Sequence, residues 1–408
     1  MPSDPQVPSE PEAFDVIVVG GGPAGATAAH DLARLGRSVL LLDRGGRIKP
    51  CGGAVPPILL KEFDIPESLL VARSTCARMI SPRSVAVDMP INGFVGMVDR
   101  EHFDEWLRDR AEQSGAVRRT GNFVSIDHDD QGRPVVSYRP DGADKADAAA
   151  LKQARARVVI GADGARSEVG RQTIPEAHSI PYVAAYHEIV SSPPEGTPGF
   201  DGQRCDVYYQ GELSPDFYAW IFPHGDSTSV GVGTANKGFS MRAAVTTLRE
   251  RTGMGDSQTI RREGAPIPLR TLKCWDNGRS VVLAGDAAGG VAPASGEGIY
   301  YAMFSARLAA EAADEFCRTG NPKALRSARK RFMRAHGRVF WILGIMQRFW
   351  YKSDKRRERF VAICRDPDVQ ELTWEAYMHK RLVKAKPLAH IRIFFKDMAH
   401  LLGLAPVK

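Results

Sequence analysis

The hydrophobic pattern near the start of the chain predicts a strand, a tight turn, a helix and a second strand. Residues 14–20 (FDVIVVG) form a short β-branched run, and residues 38–43 (SVLLLD) form another. Between them, an Ala-rich segment from Pro23 to Leu35 has helical composition and is closed by Gly36. Two short apolar runs joined by a helix are typical of a βαβ unit with parallel strands.

The pattern changes twice further along. Asp99 precedes a helical segment that ends at Gly115, and short strands follow, with the polar stretch 132–150 expected as a surface hairpin or loop. Residues 182–268 alternate apolar and polar positions with aromatics between turns, which predicts an antiparallel sheet. The apolar run at 280–286 (SVVLAGD) and a long helical segment after it return to the first pattern. The first domain is therefore predicted to be discontinuous.

Three glycines at the first turn, Gly20, Gly22 and Gly25, have the G-x-G-x-x-G spacing. They allow a tight turn, close approach of the backbone to a pyrophosphate, and close packing of helix on strand. Asp43 ends the second strand 18 residues after Gly25, where a carboxylate hydrogen-bonds an unphosphorylated ribose. The site is predicted to bind FAD or NAD rather than NADP, whose 2′-phosphate the acid disfavours.

Charge is divided unevenly along the chain. Residues 321–408 carry 21 Lys and Arg against 7 Asp and Glu, a net charge of +14, whereas the first 320 residues carry the remaining 34 against 41, or −7. The six cysteines form no C-x-x-C pair or Cys/His cluster, so neither disulfides nor a metal site is predicted. No apolar run approaches the ~20 residues of a membrane-spanning helix, and no signal-peptide layout is present. We therefore expect a cytoplasmic protein or one on the cytoplasmic face of a membrane.

Two later motifs join the glycine turn. Asp163-Gly164 follows a strand in VVIGADGARSEVGR, and Gly285-Asp286 follows another in VVLAGDAAGGVAPASGEGIYYAM. With the first turn, they resemble the flavoproteins typified by para-hydroxybenzoate hydroxylase, which implies FAD. For Asp163 a turn-forming role remains open, because Asp-Gly is common in turns.

The resemblance implies a set of flavin contacts. They are Arg100 near the cofactor, the Val124 backbone by the adenine, Asp286 on the ribityl chain, and the Gly298 and Ile299 amides at the pyrimidine edge of the ring. The helix N-terminus at that edge suits an anionic reduced flavin. The full predicted cofactor-binding set is Gly20, Gly22, Ala24, Gly25, Asp43, Arg44, Cys51, Gly52, Ala54, Arg100, Val124, Asp163, Asp286, Gly296, Gly298 and Ile299.

The predicted fold class is α/β, with a Rossmann-like FAD-binding domain, an antiparallel-sheet substrate domain and a helical C-terminal region. The expected boundaries are a disordered tail at 1–13; the discontinuous FAD-binding domain at 14–75, 99–181 and 269–320; the substrate domain at 76–98 and 182–268; and the basic helical region at 321–408.

The resemblance can be narrowed by longer phrases. KPCGGAVPP directly after the ribose acid, together with FYAWIFPHGDSTSVGVG, resembles the geranylgeranyl reductase family, over about Phe14 to Leu404. APASGEGIYYAM and GFVGMVDREHFDEWL resemble the chlorophyll and bacteriochlorophyll branch, the purple-bacterial version most of all. This implies an FAD-dependent, NADPH-driven reductase that saturates three isolated double bonds of a geranylgeranyl group, on bacteriochlorophyllide or as the free diphosphate, to give phytyl. It also implies a peripheral location on the cytoplasmic side of the inner photosynthetic membrane.

An isolated alkene is a poor hydride acceptor, so a proton must arrive before or with the hydride in a dry, apolar site. Tyr218, Trp220 and Phe222 point to one side of a predicted strand and are the expected substrate-binding walls, although aromatics in a sheet core would give the same pattern. His224 could donate a proton, but a lone histidine is more often structural. No second G-x-G-x-x-G locates a site for NADPH.

Cys51 is the predicted catalytic residue. In this fold the segment after the ribose acid runs toward the flavin ring, so Gly52 and Gly53 give close backbone approach while Pro50 stiffens the segment. The thiol could relay a proton, tune the flavin or fill space beside it. Thiols have ordinary pKa values of ~8.5 and are weak acids toward an alkene, so the role stays open.

The basic C-terminal region interleaves Lys and Arg with aromatic and apolar residues, as in GRVFWILGIMQRFWYKSDKRR. This composition is typical of a segment that binds a membrane surface, but a packed helix with a solvated basic end also fits. No nucleic-acid-binding motif accompanies the charge, so no nucleic-acid partner is expected. Two other functions remain open: an aromatic hydroxylase or halogenase of the same fold, and a non-catalytic membrane-bound factor that binds flavin or pigment. The oligomeric state is not predicted.

Overall fold

The computed structural model describes residues 10–46, 48–144 and 150–380. Its strands are β1 Glu12–Val19, β2 Val39–Asp43, β3 Ala54–Val55, β4 Leu70–Ile80, β5 Ala86–Val98, β6 Val117–His128, β7 Pro134–Pro140, β8 Lys152–Gly161, β9 Tyr182–Ser191, β10 Arg204–Tyr208, β11 Ala219–His224, β12 Ser227–Thr234, β13 Thr259–Pro268 and β14 Val281–Leu283. Its helices are α1 Pro23–Arg34, α2 Pro57–Glu62, α3 Arg100–Gln113, α4 Glu168–Thr173, α5 Met241–Arg251, α6 Ile299–Thr319, α7 Arg326–Trp350, α8 Asp354–Ile363 and α9 Pro367–His379.

The first sheet has a parallel core in the order β6, β2, β1, β8, β14. Strand β7 runs antiparallel between the outer parts of β6 and β8. Helices α1, α3 and α6 pack on this sheet or on one another through small and branched apolar side chains, among them the alanines of α1. Because parallel strands end at one edge, the turn after β1, Asp43 on β2 and Asp286 after β14 lie at the same edge.

The second sheet has eight strands in the order β13, β9, β12, β11, β10, β4, β5, β3. Its neighbours are antiparallel except for β10 and β4, which run parallel, so the predicted antiparallel sheet contains one parallel pair. Strands β3 and β4 belong to this sheet, and the expected boundary between residues 75 and 76 therefore falls inside β4.

Two local predictions need correction. Of the two forms expected for residues 132–150, a surface hairpin or a loop, the described part has the hairpin, but β7 is not confined to the surface, because it buries Val135, Val136 and Tyr138 between β6 and β8. The apolar run in β7 is short and is flanked by polar residues, so the sequence pattern did not indicate a buried strand. Strand β1 begins at Glu12, inside the expected tail, of which residues 1–9 lie outside the described part.

Helix α3 starts where the sequence predicted. The Asp99 side chain accepts a hydrogen bond from the Glu101 backbone N–H at 3.0 Å and caps the helix. After α6, the helices α7, α8 and α9 continue the chain to residue 380, and residues 381–408 of the predicted basic region lie outside the described part. None of the described helices combines the length and apolarity needed to cross a bilayer.

His336 on α7 is buried among the rings of Tyr300, Tyr301, Phe304 and Phe332. Neither ring nitrogen has a hydrogen-bond partner among the described residues. Burial lowers the pKa of His336 to about 4, and the positive charge of Lys380 makes a smaller contribution in the same direction. Folding thus holds this imidazole neutral.

We expect the protein to lose stability in mild acid through His336. Its folded pKa lies below the unfolded value, so the unfolded state takes up the proton first and stability falls as the pH drops below about 6.5, by about 2 kcal/mol at about pH 5. His336→Leu should reduce the drop in Tm between neutral pH and about pH 5, whereas His102→Leu, at an exposed histidine, should not. Parallel Tm curves for wild type and His336→Leu would contradict this assignment.

Candidate active site

The glycine turn after β1 is shaped for close backbone approach. Gly20 has φ +106°, and a Cβ there would lie 2.4 Å from the Ala162 carbonyl oxygen. A Cβ on Gly25 would lie 1.6 Å from the Gly20 carbonyl oxygen, so α1 contacts the end of β1 only because Gly25 has no side chain. Gly22, the N-cap of α1, faces open space and makes no side-chain capping bond. The turn therefore presents the helix N-terminus to a ligand, as pyrophosphate binding requires.

Asp43 lies beside this turn. A Cβ on Gly21 would be 2.5 Å from Asp43 Oδ2, and Arg108 of α3 donates to the Gly21 carbonyl at 3.1 Å and approaches Asp43 Oδ2 at 3.5 Å. Burial raises the pKa of Asp43, and hydrogen bonding to the Gly21 N–H opposes that change. Gly21 and Arg108 were missed by the sequence reasoning, because Gly21 occupies an unspecified motif position and Arg108 arrives from a distant helix.

The third part of the edge is formed by Asp286 and the start of α6. Lys49, from the segment that leads to Cys51, donates to Asp286 Oδ2 at 2.5 Å. Gly296, Gly298 and Ile299 line the same cavity as Asp286. The predicted ribityl and ring-edge contacts are thus brought together, and Lys49 adds a cation that the sequence did not single out.

Other predicted cofactor residues have different surroundings. Both oxygens of Asp163 are engaged by the protein, one by Ser167 Oγ at 2.5 Å and one by the first N–H groups of α4, which supports the turn-forming alternative. The Val124 carbonyl accepts from Gln172 at 2.9 Å. Arg44 is exposed beyond Asp43, and Ala24 is buried in α1.

The PCGG segment packs against β11. A Cβ on Gly52 would lie 2.9 Å from the Phe222 ring, and one on Gly53, at φ +71°, would lie 2.5 Å from the His224 ring. His224 Nε2 contacts the Gly52 carbonyl oxygen at 3.1 Å, so this histidine holds the PCGG segment against β11. Cys51 Sγ accepts from the Gly53 N–H at 3.4 Å and lines the cavity with Gly52 and Ala54.

Arg100 joins Cys51 at this cavity. Its guanidinium donates to both oxygens of Asp104, at 2.8 and 2.7 Å, and is 5% exposed. Burial alone would lower the pKa of Arg100, but the Asp104 carboxylate, and then Cys51, raise it above its ordinary value. A fixed positive charge therefore stands beside the thiol.

A cavity of about 770 Å³ extends from these residues into the second sheet. Its lining is dominated by apolar and aromatic side chains from β4, β5, β9, β10, β11 and the C-terminal helices. Cavities of this size bind drug-sized ligands and cofactors. One end is polar, with Lys49, Arg100 and Asp286, and the remainder is mainly apolar.

The predicted aromatic walls line this cavity. Trp220 and Phe222 lie on β11 and Tyr218 immediately precedes this strand, with successive ring centroids 6.0 and 6.1 Å apart. Trp220 Nε1 donates to Ser229 Oγ at 3.1 Å, and Ser229 contacts His187 Nδ1 at 2.8 Å. Tyr218 donates to the Ser295 carbonyl at 2.5 Å. These rings are both sheet core and cavity wall, because the cavity lies within the core.

The C-terminal helices close the cavity over the second sheet. Lining residues from them include Trp341, Ile345, Phe349, Trp350, Tyr351, Phe360, Trp374 and Tyr377. Tyr351 donates to the Ala294 carbonyl at 2.9 Å, which ties α7 to the loop before α6. Trp341 and Ile345 also remain 69% and 47% exposed, so this part of α7 lies at the rim of the cavity. The described part of the basic region, up to residue 380, is thus a packed helical cover with an apolar, exposed rim.

Taken together, the arrangement fits FAD. A glycine cradle at a helix N-terminus, a ribose acid at the next strand end and a second helix N-terminus converge on one edge of the parallel sheet. Two family models match the chain accordingly, FAD dependent oxidoreductase over residues 15–67 and FAD binding domain over residues 92–335.

Proteins with similar sequences and structures agree with this assignment. The geranylgeranyl diphosphate reductase of Rhodobacter capsulatus is 56% identical over 96% of this chain and 98% of its own. The proteins of the same name from Synechocystis and, as a chloroplastic form, from Oryza sativa are 35% and 36% identical, each over 96% of this chain and over 99% and 86% of their own.

Among solved structures, a geranylgeranyl bacteriochlorophyll reductase-like protein from Thermoplasma acidophilum superposes with a TM-score of 0.78, 22% identity, and coverage of 93% of this chain and 99% of its own. The flavin-dependent brominase Bmp2 gives 0.71 at 17% identity over 95% of this chain and 99% of its own, which is a likeness of fold alone. The three geranylgeranyl diphosphate reductases named above match nearly the whole chain. The chain therefore belongs to the geranylgeranyl diphosphate reductase family of FAD-binding oxidoreductases.

Proposed function

We propose that this protein is an FAD-dependent, NADPH-driven reductase that saturates three double bonds of a geranylgeranyl group to give phytyl. The observation that carries the proposal is the apolar cavity, which is continuous with the residues that would hold the flavin. The curated relatives are named for reduction of geranylgeranyl diphosphate, and this chain matches them almost end to end. The halogenase alternative has only fold-level likeness in its favour.

Different residues of the chain would bind the cofactor and the substrate. Bound FAD supplies the hydride. Gly20, Gly22 and Gly25 would hold its pyrophosphate, Asp43 a ribose, and Asp286 with Lys49 its ribityl side. Tyr218, Trp220 and the C-terminal helices would hold the prenyl chain and exclude water, which suits a reaction that builds positive charge on carbon.

The test is anaerobic. The flavin in purified protein should bleach on addition of NADPH and turn yellow again on addition of a geranylgeranyl substrate. Mass spectrometry of the product should give increments of two hydrogens, ending at three additions. Two substrates, geranylgeranyl bacteriochlorophyllide ester and geranylgeranyl diphosphate, should be compared because both contain the prenyl part that the cavity would hold. Absence of any mass change with a flavin-replete preparation would overturn the proposal, and binding without reoxidation would favour a non-catalytic flavin or pigment-binding factor.

Cys51 allows a sharper test within this function. Cys51→Ser and Cys51→Ala should both bind FAD, because the hydrogen-bonding neighbours of the thiol among the described residues are the Gly53 N–H and the Arg100 side chain, and Asp104 also holds Arg100. If the thiol acts at the flavin, Cys51→Ala should lower prenyl-driven flavin reoxidation by about tenfold or more, within the range of one proton-transferring or hydrogen-bonding group. An Ala variant with wild-type rate and product distribution would leave Cys51 a packing role only.

We also infer that the rim of the cavity meets a membrane surface, from which the prenyl chain is taken. Trp341, Ile342 and Ile345 are exposed on α7, and the exposed cations Arg338 and Arg348 lie on the same helix. Trp341→Ser/Ile345→Ser should weaken co-sedimentation with anionic lipid vesicles by about tenfold or more, since each buried side chain contributes ~1.5–3 kcal/mol.

The matched control for the membrane test is Ile260→Ser, which removes a 57% exposed apolar side chain from β13. It should bind vesicles as wild type does. Equal vesicle binding by wild type and the Trp341→Ser/Ile345→Ser variant would contradict the inference, and the reductase proposal would be unaffected.

A further inference from the structure

Glu297 and Lys380 form a buried ion pair at the cavity. Glu297 stands between Gly296 and Gly298, immediately before α6, and lines the cavity with both. Its Oε2 accepts from Lys380 Nζ at 2.5 Å, and the two side chains are 7% and 2% exposed. Lys380 ends α9 in the left-handed region, at φ +53°. The pair thus joins the predicted flavin-edge segment to the last described helix.

The two oxygens of Glu297 are treated differently. Oε2 is held by Lys380, whereas Oε1 is buried and has no hydrogen-bond partner among the described residues. Lys380 Nζ in turn lies 4.0 Å from the ring centroid of Tyr377 and about 5.5 Å from those of Tyr300 and Tyr301. An unpaired buried carboxylate oxygen costs free energy, so a proton or a ligand atom is expected on it at some stage.

Stability does not explain this pair. Taking two charges out of water costs about as much as their attraction returns, and apolar replacements of similar volume are often neutral or stabilising. Burial raises the pKa of Glu297 and lowers that of Lys380, and the attraction between them only partly opposes both changes. The two changes bring the pKa of the carboxyl group and that of the ammonium group closer together, so a proton passes between Lys380 and Glu297 more easily than between the same groups in water.

We propose that the Glu297–Lys380 pair donates the proton to the prenyl double bonds, an inference that depends on the proposed reductase function. In each reduction the π bond breaks and two C–H bonds form. One carbon receives the hydride together with its two electrons. These electrons originate from NADPH, which is thereby oxidised to NADP+. Lys380 first passes a proton to the Glu297 carboxylate, and the resulting carboxyl group gives that proton to the other carbon. Water restores the proton of Lys380 before the next double bond is reduced.

Cys51 is less suited to this role. Among the described residues, its hydrogen-bonding neighbours are the Gly53 N–H and the guanidinium of Arg100, and neither gives up a proton near neutral pH, so a thiol that donated its proton would not be reprotonated by them. Glu297 instead has one oxygen, Oε1, without a hydrogen-bond partner among the described residues, and the Lys380 ammonium group beside it can supply a proton to the carboxylate. The two groups therefore have different roles: the Cys51 thiol lies beside the flavin site, and the Glu297 carboxyl group donates the proton.

The decisive variant is Glu297→Gln/Lys380→Met, which removes both charges and keeps similar volumes. We expect the FAD-free protein to keep its Tm within a few degrees and to bind geranylgeranyl diphosphate, followed by quenching of tryptophan fluorescence, as wild type does. FAD content and bleaching by NADPH should also be unchanged. Prenyl-driven reoxidation should fall about a hundredfold or more, since positioned proton transfer contributes that much.

A buried pair outside the cavity provides the matched control. Glu188 and Arg249 lie 2.5 Å apart, 4% and 10% exposed, and Glu188→Gln/Arg249→Met should leave the reoxidation rate unchanged. Wild-type reoxidation in the Glu297→Gln/Lys380→Met protein would overturn the inference. Loss of prenyl binding together with the rate, in a protein that keeps its Tm, would also overturn it, since the pair would then only shape the binding site.

Glu297→Asp decides the matter if the double variant does not fold. It keeps both charges but withdraws the carboxyl group by one methylene, so an unchanged Tm with a reoxidation rate at least about tenfold lower supports proton donation, and an unchanged rate contradicts it. Failure of wild type itself to reduce a geranylgeranyl substrate would count against the reductase function, not against the role of the pair within it.

Discussion

Gly25→Ala is expected to yield protein without bound FAD. The added methyl group would lie 1.6 Å from the Gly20 carbonyl oxygen, so α1 must move away from the end of β1 and take its N-terminal N–H groups with it. Overpacking of this kind costs ~1–3 kcal/mol or more, and 3 kcal/mol corresponds to about a hundredfold weaker binding. Flavin absorbance after gel filtration with added FAD measures the loss.

Gly22→Ala separates binding from folding in the same turn. Nothing lies within 4 Å of a Cβ built there, and the backbone at φ −73° tolerates any residue. The FAD-free protein should therefore keep its wild-type Tm while its affinity for FAD falls, because the methyl group occupies the face toward the pyrophosphate. FAD stoichiometry near one in Gly25→Ala would show that the helix does not need this close contact.

Val207→Trp is expected to abolish reduction of the geranylgeranyl group while leaving reduction of the flavin intact. Val207 lies on β10 directly opposite Trp220 of β11, and both line the cavity. The indole would occupy space needed by the prenyl chain, and displacement of the reacting carbons by about 1 Å already costs about a hundredfold in rate. Stopped-flow bleaching by NADPH and reoxidation by the substrate measure the two halves separately.

The control for Val207→Trp is Val207→Ala, which enlarges the cavity and should keep the reoxidation rate within a few-fold. A shorter geranyl substrate should recover part of the rate in Val207→Trp, because fewer carbons compete with the indole for space. An undiminished rate with the full geranylgeranyl substrate would place its path elsewhere in the molecule.

The parts of the site that the sequence predicted are those built by neighbouring residues. The turn from Gly20 to Gly25 and the end of β2 depend on local pattern and fixed spacing, so their role could be predicted without a structure. The N-cap of α3 was predicted for the same reason. The resemblance, and not periodicity, placed Cys51 at the cavity.

The contacts that were missed join residues far apart in sequence. Lys49 and Asp286 are 237 positions apart, and Glu297 and Lys380 are 83 apart. No local pattern indicates which cation will meet which acid, since that depends on how the two sheets and the C-terminal helices pack. The basic composition of the C-terminal region likewise indicated an interface but not that its apolar side covers a cavity. The proposed NADPH requirement and the domain boundaries remain predictions.

The separation of Lys49 from Asp286 also bears on how the protein is made. The glycine turn and Asp43 leave the ribosome early, but β14, Asp286 and α6 follow only after the entire second sheet has been synthesised. The cover formed by α7 to α9 is synthesised after α6. A nascent chain therefore acquires its cofactor-binding edge before the apolar cavity is covered, and ribosome-bound chains ending near residue 320 should expose that cavity to chaperones or lipid until the last helices emerge.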